Sequence, residues 1–243
     1  MPTQLLFTQF LNAHFAAPVD SLLAAFHIQP TYSAAPITDS FAMELLVFGL
    51  LIFYFILVRI TLDVEKPSTF QHFAETTQGF VAEQSESIIG HGYERFISYV
   101  TALGLFILLS NLLGLIPGLK SPTADVVVPL GFALTTFAYY HYHGIRANGV
   151  GYIKQFLGPV WWLAWLLFPI EVISHCARVL SLTVRLFANM FAGDLLTMVA
   201  FSIIPIGIPL LAIGLHLGVA VIQAYVFMLL AMIYLSLAVA HDH

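Results

Sequence analysis

Four charged residues, Glu171, Arg178, Arg185 and Asp194, stand in a stretch that is mostly apolar from Pro169 to Phe201. An ionised side chain at mid-bilayer costs about 3 kcal/mol on insertion scales, so four in one hydrophobic helix demand water, partners or a function. The chemistry open to them is the movement or blocking of charge: a carboxylate takes up and releases ions, whereas a guanidinium stays protonated and cannot pass a proton on. At about 100° per residue, Glu171, Arg178 and Arg185 step by only about 20° each, and Asn189 returns to the azimuth of Glu171. The four form one polar stripe. Asp194, nine residues beyond Arg185, falls on the opposite face of a regular helix and is no simple intrahelical partner for it. For Arg178, a structural ion pair with Glu171 and a place on an ion path fit the spacing equally.

The last apolar segment carries a second stripe, His216, Gln223 and Tyr234. An imidazole, with an ordinary pKa of about 6.5, suits proton relay. Pairing the two segments antiparallel brings His216 opposite the end that carries Asp194. Asp194, His216 and Gln223 are then expected to line a water-filled path from the outer side. Glu171 and Ser174 would line another from the inner side, with Arg185 between the two. The plainer alternative for His216 is a core histidine bonded to a carbonyl, and His175 reads as a packing or interfacial residue. His141/His143 and His241/His243 have spacings that could bind a metal but sit at membrane edges, so no metal is assigned. Trp161, Trp162 and Trp165 read as an interfacial aromatic belt. Cys176, the single cysteine, excludes an intrachain disulfide framework and reads as a small packing residue.

The elements that must position these residues follow from composition. The chain has 243 residues, 60% hydrophobic and 9% charged, with a mean hydropathy of +0.92. A soluble domain of this size needs more charged surface, and several apolar runs reach bilayer-spanning length. The expected fold class is an all-α membrane protein with about five membrane-embedded helices and one amphipathic surface helix. Residues 1–40 form an N-terminal extracytoplasmic segment, in which Pro18, Pro30 and Pro36 are expected to break any long helix. Residues 41–243 form a single membrane domain. Its first span is 41–60, with one acid, Glu44, near its start. From 68 to 89, Phe70, Phe73, Phe80, Val81 and Ile88 recur at helical spacing among polar residues, which predicts the surface helix. Ser68 and Gln71 there have capping-box spacing. Spans follow at 97–119 and 126–140. The chain from Pro169 to Phe201 would make a helix of roughly 48 Å, and that from Ile206 to Ala240 one of roughly 52 Å, against a hydrocarbon core of about 30 Å. Segments 159–201 and 206–240 are therefore expected to form a steeply tilted hairpin that turns near Pro205.

Basic residues set the expected orientation. Arg59, Lys66, Arg95, Arg146 and Lys154 fall in loops on one side, and only Lys120 on the other, which makes the first side cytoplasmic and the N-terminus external. No basic, apolar leader opens the chain, so no cleavable signal peptide is expected. No Walker-type or GxGxxG loop occurs, so the chain is expected to bind no nucleotide of its own.

Several segments resemble a known family. SLTVRLFANMFAGDLL looks like the signature of subunit a of the rotary F-type ATP synthase, and NLLGLIPGLKSPTAD resembles that subunit's other well-known signature. His216 and Gln223 fit as well, and the likeness runs from about residue 65 onward. It implies a stator proton channel in CF(0), the membrane sector, in which Arg185 faces a rotating c-ring whose subunits each carry a mid-membrane carboxylate. It assigns Asp194, His216, Gln223 and Asn189 to an outer half-channel, Glu171 and Ser174 to an inner one, and Asp125 to the outer mouth. The implied partners are the c-ring, peripheral-stalk b subunits and membrane lipid, with no nucleic acid, cofactor or catalytic site of its own. Asp194 and His216 follow the bacterial and chloroplast arrangement, which implies a bacterial cell membrane. The alternatives are a stand-alone ion-coupled transporter or channel, which should show internal pseudo-symmetry and helices broken at mid-membrane, and a structural scaffold.

Overall fold

The computed structural model describes residues 4–25, 27, 35–63, 66–116, 118–149, 151–152, 162, 164–203 and 207–239. Its long elements are all helices: α1 Leu6–Ala25, α2 Asp39–Ile60, α3 Thr69–Ile89, α4 Glu94–Leu113, α5 Val127–Asn148, α6 Ala164–Ile203 and α7 Ile208–Val239. A 3-10 turn, Pro122–Ala124, precedes α5. By length and composition α2, α4, α6 and α7 can cross a bilayer. The chain is an all-α, multi-pass membrane protein. α5 is long enough too, but its second half, YYHYHGIRAN, is polar, and it packs against both α6 and α7.

The two last helices dominate. With 40 and 32 residues they run about 60 and 48 Å, well beyond the hydrocarbon thickness. Three pairs give their register: Arg178 with Tyr234, Asn189 with Gln223, and Asp194 with His216. Residue numbers rise on one helix as they fall on the other, so the pair is antiparallel. Ala212, Ala220, Ala224 and Ala231 are buried along α7, and such small side chains let helix backbones approach closely where no hydrophobic drive separates helix from lipid. Leu182, Leu186 and Met190 of α6 meet Ala220, Ala224 and Phe227 of α7 in one buried cluster, with Leu103 and Ile107 of α4 behind them.

Other elements depart from what the sequence suggests. Pro18 does not break the N-terminal segment: α1 runs 20 residues straight through it. A proline deprives a helix of one N–H, and α1 is held instead by tertiary bonds. Asn12 Nδ2 donates to the carbonyl of Ile37 at 3.1 Å, Ile37 N–H donates back to Asn12 Oδ1 at 3.0 Å, and Leu5 N–H donates to Asp39 Oδ1. Pro30 lies outside the described residues. The run 97–119 is not helical to its end, because α4 stops at Leu113 and turn hydrogen bonds follow from Leu115 N–H to Leu112 and from Ile116 N–H to Leu113. Gly114 there sits against the returning loop, where a Cβ would come within 2.6 Å of Ser121 Cβ. α5 continues past residue 140 to Asn148. Ser68 does cap α3, accepting from Gln71 N–H at 3.2 Å, but the capping box is not closed. The Gln71 side chain bonds both backbone groups of Asp63, tying the α2–α3 turn to the helix. α3 buries Val81 and Ser85 against the bundle and leaves Phe70, Phe73 and Phe80 exposed. The turn expected at Pro205, the ends of the tilted segments at 159–161, Ile206 and Ala240, and Lys154, Trp161, His241 and His243 lie outside the described residues.

Candidate functional site

The polar residues of α6 meet three different neighbourhoods. Near its C-terminal end, Asp194 Oδ1 lies 3.9 Å from His216 Nδ1. The imidazole is 2% exposed, and its Nε2 is buried with no hydrogen-bond partner among the described residues. It fits because residue 193 is glycine: a Cβ there would stand 2.5 Å from His216 Cδ2. A cavity of about 190 Å³ opens beside it, lined by Asn189, Gly193, Leu196, Leu215, His216 and Val219 among others. That is room for several waters. One and a half turns back, Asn189 Nδ2 donates to Gln223 Oε1 at 2.8 Å. Asp194, His216, Asn189 and Gln223 are thus gathered along one seam between α6 and α7.

The loop before α5 reaches the same end of the bundle. Asn111, fully buried on α4, accepts from Thr123 Oγ1 at 2.7 Å and donates to the carbonyl of Ala220 on α7. Ser121 Oγ bonds Thr123 Oγ1 and donates to the carbonyl of Ser110. This network explains the Asn and the Ser-Pro-Thr of NLLGLIPGLKSPTAD: it pins the 3-10 turn against two helices. Asp125 follows directly, accepting from Ser40 Oγ of α2 at 2.8 Å and from Val127 N–H at the start of α5. Ser40 was not foreseen, since nothing in sequence links residues 85 positions apart.

At the other end of α6 a second polar cluster forms. Glu171 Oε1 lies 3.3 Å from His175 Nε2, and His175 Nδ1 lies 2.9 Å from the Tyr140 hydroxyl of α5. His175 is buried, in line with the packing alternative of its sequence reading. The spacing Glu171–His175, four apart on a helix, was the available signal. The Arg178 guanidinium carbon sits 5.3 Å from the ring centroid of Tyr234, a cation–π distance. Among the described residues Arg178 forms no ion pair with Glu171. A cavity of about 140 Å³ is enclosed by Tyr140, Tyr152, Glu171, His175, Arg178 and Tyr234 with Leu237 and Ala238. Ser174 is half-buried and does not line it.

Arg185 stands between these clusters and belongs to neither. It is exposed, and its guanidinium Nη2 donates to Ser181 Oγ of its own helix at 3.3 Å. Among the described residues it makes no hydrogen bond or ion pair to another helix. The stripe Glu171–Arg178–Arg185–Asn189 therefore does not share one environment. Asn189 is bonded to α7, on the seam with Asp194, instead of on a face opposite to it. α7 crosses α6, so residues at different azimuths meet it in turn.

Fold and site together define a polytopic helical membrane protein with ionisable groups set inside its two longest helices and an exposed arginine between two cavities that each carry polar side chains. Residues 41–236 match the ATP synthase A chain family, and the chain belongs to it. It is 53% identical to the ATP synthase subunit a of Koribacter versatilis across all of both chains. It is also 41% identical to that of Solibacter usitatus, over 96% of this chain and 99% of the relative. A third relative, the ATP synthase subunit a of Citrifermentans bemidjiense, is 43% identical over 73% of this chain and 77% of its own.

Proposed function

We propose that this chain is the stator proton channel of an F-type ATP synthase, delivering protons to and from carboxylates of a rotating c-ring through two offset half-channels. Arg185 is the separator, and its exposure between the cavity at Glu171 and the cavity at His216, without a cross-helix partner among the described residues, carries the reading. A permanently charged guanidinium facing the ring attracts each deprotonated carboxylate and blocks a direct leak between the cavities. The seam of Asp194, His216, Asn189 and Gln223, with Asp125 at its mouth, serves as the outer path. Glu171, Ser174 and Arg178 serve the inner one. Protonation from one side neutralises the ring acid so that it can face lipid, and deprotonation to the other restores its charge. Proton flow becomes rotation because neither cavity crosses the membrane alone.

The excess of basic residues in the loops of one side favours an inner side, and with it a C-terminus, in the cytoplasm of a bacterial cell and an N-terminus outside. The c-ring and peripheral-stalk b subunits are the partners. Catalysis of ATP synthesis belongs to other subunits. The test is Arg185→Ala in the assembled complex in inverted membrane vesicles: ATP-driven acidification and coupled synthesis should both vanish. Normal coupled synthesis by that variant would overturn the reading.

A further inference from the structure

We infer that His175 is a proton-carrying group on the Glu171 side of the channel, handing protons between cavity water and the Glu171 carboxylate. The inference rests on the half-channel reading and adds to it a residue that the α6 stripe does not contain. The two neighbours assign the hydrogen of the neutral imidazole to one nitrogen when Glu171 is ionised. An ionised carboxylate can only accept, so Nε2, 3.3 Å from Glu171 Oε1, carries the hydrogen. Nδ1 then accepts from the Tyr140 hydroxyl at 2.9 Å. A tyrosine–histidine–carboxylate chain runs from the interior, where Tyr140 is 2% exposed, toward Glu171, whose side chain is 39% exposed.

The chain has room for water at its flank. The cavity of about 140 Å³ touches Tyr140, His175 and Glu171 alike and accommodates several waters. When cavity water delivers a proton to the Tyr140 oxygen, the tyrosine's own hydroxyl hydrogen passes to Nδ1 and the Nε2 proton passes to Glu171. The imidazole stays neutral in its other tautomer, and Glu171 becomes a carboxylic acid that releases its proton to solvent. Exchange with cavity water returns the original tautomer, and the steps reverse for flow in the other direction. The groups facing His175 are Glu171 and Arg178 from α6, Tyr140 and His141 from α5, Tyr234 from α7, and Tyr152. His141 lies with its ring centroid 4.9 Å from that of His175 and bonds the carbonyl of Phe137 through Nδ1.

A purely structural histidine would make the same two bonds, so the test must separate packing from titration. Glutamine keeps one donor and one acceptor but does not titrate. The complete synthase carrying His175→Gln is reconstituted in liposomes, and initial ATP-synthesis rates are measured under a fixed voltage as the pH on the inner-path side is varied. Arg185→Ala is measured in parallel. The relay predicts a loss of about tenfold in rate, less than a positioned acid–base group gives at a reacting bond because cavity water carries part of the flux. It also predicts that the pH profile changes shape. Tyr140→Phe keeps the ring packing and removes only the hydroxyl, and it should slow turnover with the same change in profile. Wild-type rate and profile in His175→Gln, with Arg185→Ala inactive, would reject the relay and leave the channel reading standing. Coupled synthesis by Arg185→Ala would reject both. If His175→Gln fails to assemble, an unaltered rate and profile in Tyr140→Phe rejects the relay by itself.

Discussion

Asn189 and Gln223 are joined side chain to side chain, Nδ2 to Oε1 at 2.8 Å, across the antiparallel pair α6 and α7. One turn before Asn189 on α6 stands Arg185, exposed. The amide pair lies between Arg185 and the Asp194–His216 seam. It holds the two helices in a register that presents the arginine without tying it down. Interhelical hydrogen bonds in membranes average about 0.6 kcal/mol, so the bond's main effect is geometric.

Exchanging the two amides, Asn189→Gln together with Gln223→Asn, should keep the bond, since one side chain lengthens by the methylene that the other loses. Asn189→Leu alone should break it. ATP-driven acidification of inverted vesicles is expected to fall sharply in the single variant and to return in the exchanged pair. If the exchanged pair is as impaired as Asn189→Leu, the amides act separately.

Arg185→Lys preserves one charge and replaces a planar, weakly hydrated fork with a compact ammonium that loses its proton more readily when desolvated. Coupled synthesis should be lost nearly as fully as with alanine, and passive proton leak through the membrane sector should rise. Retention of coupled rotation by the lysine variant would show that charge alone is enough.

Gly193→Ala introduces a Cβ at 2.5 Å from His216 Cδ2 and 2.6 Å from Nε2. The imidazole has to move or the helices have to part, at a cost of about 1–3 kcal/mol for overpacking. A lower melting temperature of the complex and slower proton transport are expected together. A variant with unchanged transport would mean that the ring position seen here is not needed for proton passage.

Asn111→Leu removes the group that both accepts from Thr123 and donates to the Ala220 carbonyl. Each buried polar atom left without a partner costs about 1–3 kcal/mol. The turn carrying Asp125 should loosen, detectable as faster proteolysis or hydrogen exchange over residues 118–126. Protection equal to the parent protein would show that the turn is held by packing alone.

The two ends of α6 show how far reading the chain can go. Asp194 opposite His216 is legible because antiparallel pairing of two long apolar segments leaves little freedom in register. The neighbourhood of Glu171 is not. Its partner on α6 is His175, four residues on, which looks like packing until α5 supplies Tyr140 from 35 positions away. Arg178 turns from the obvious acid to the face of Tyr234 for the same reason: another helix offers it a surface. Pro18 misleads in the opposite way, because a local penalty is outweighed by bonds from Asn12 to the segment at Ile37.

By itself the sequence determined that this is a helical membrane protein whose central arginine has no same-face acid within two turns, since the insertion cost of charge and the length of apolar runs are local properties of the chain. The tertiary structure decided which polar groups share a cavity. That choice depends on the crossing of α6 by α5 and α7, and on the small residues, Gly193 and the buried alanines, that let those helices come close enough for side chains to meet.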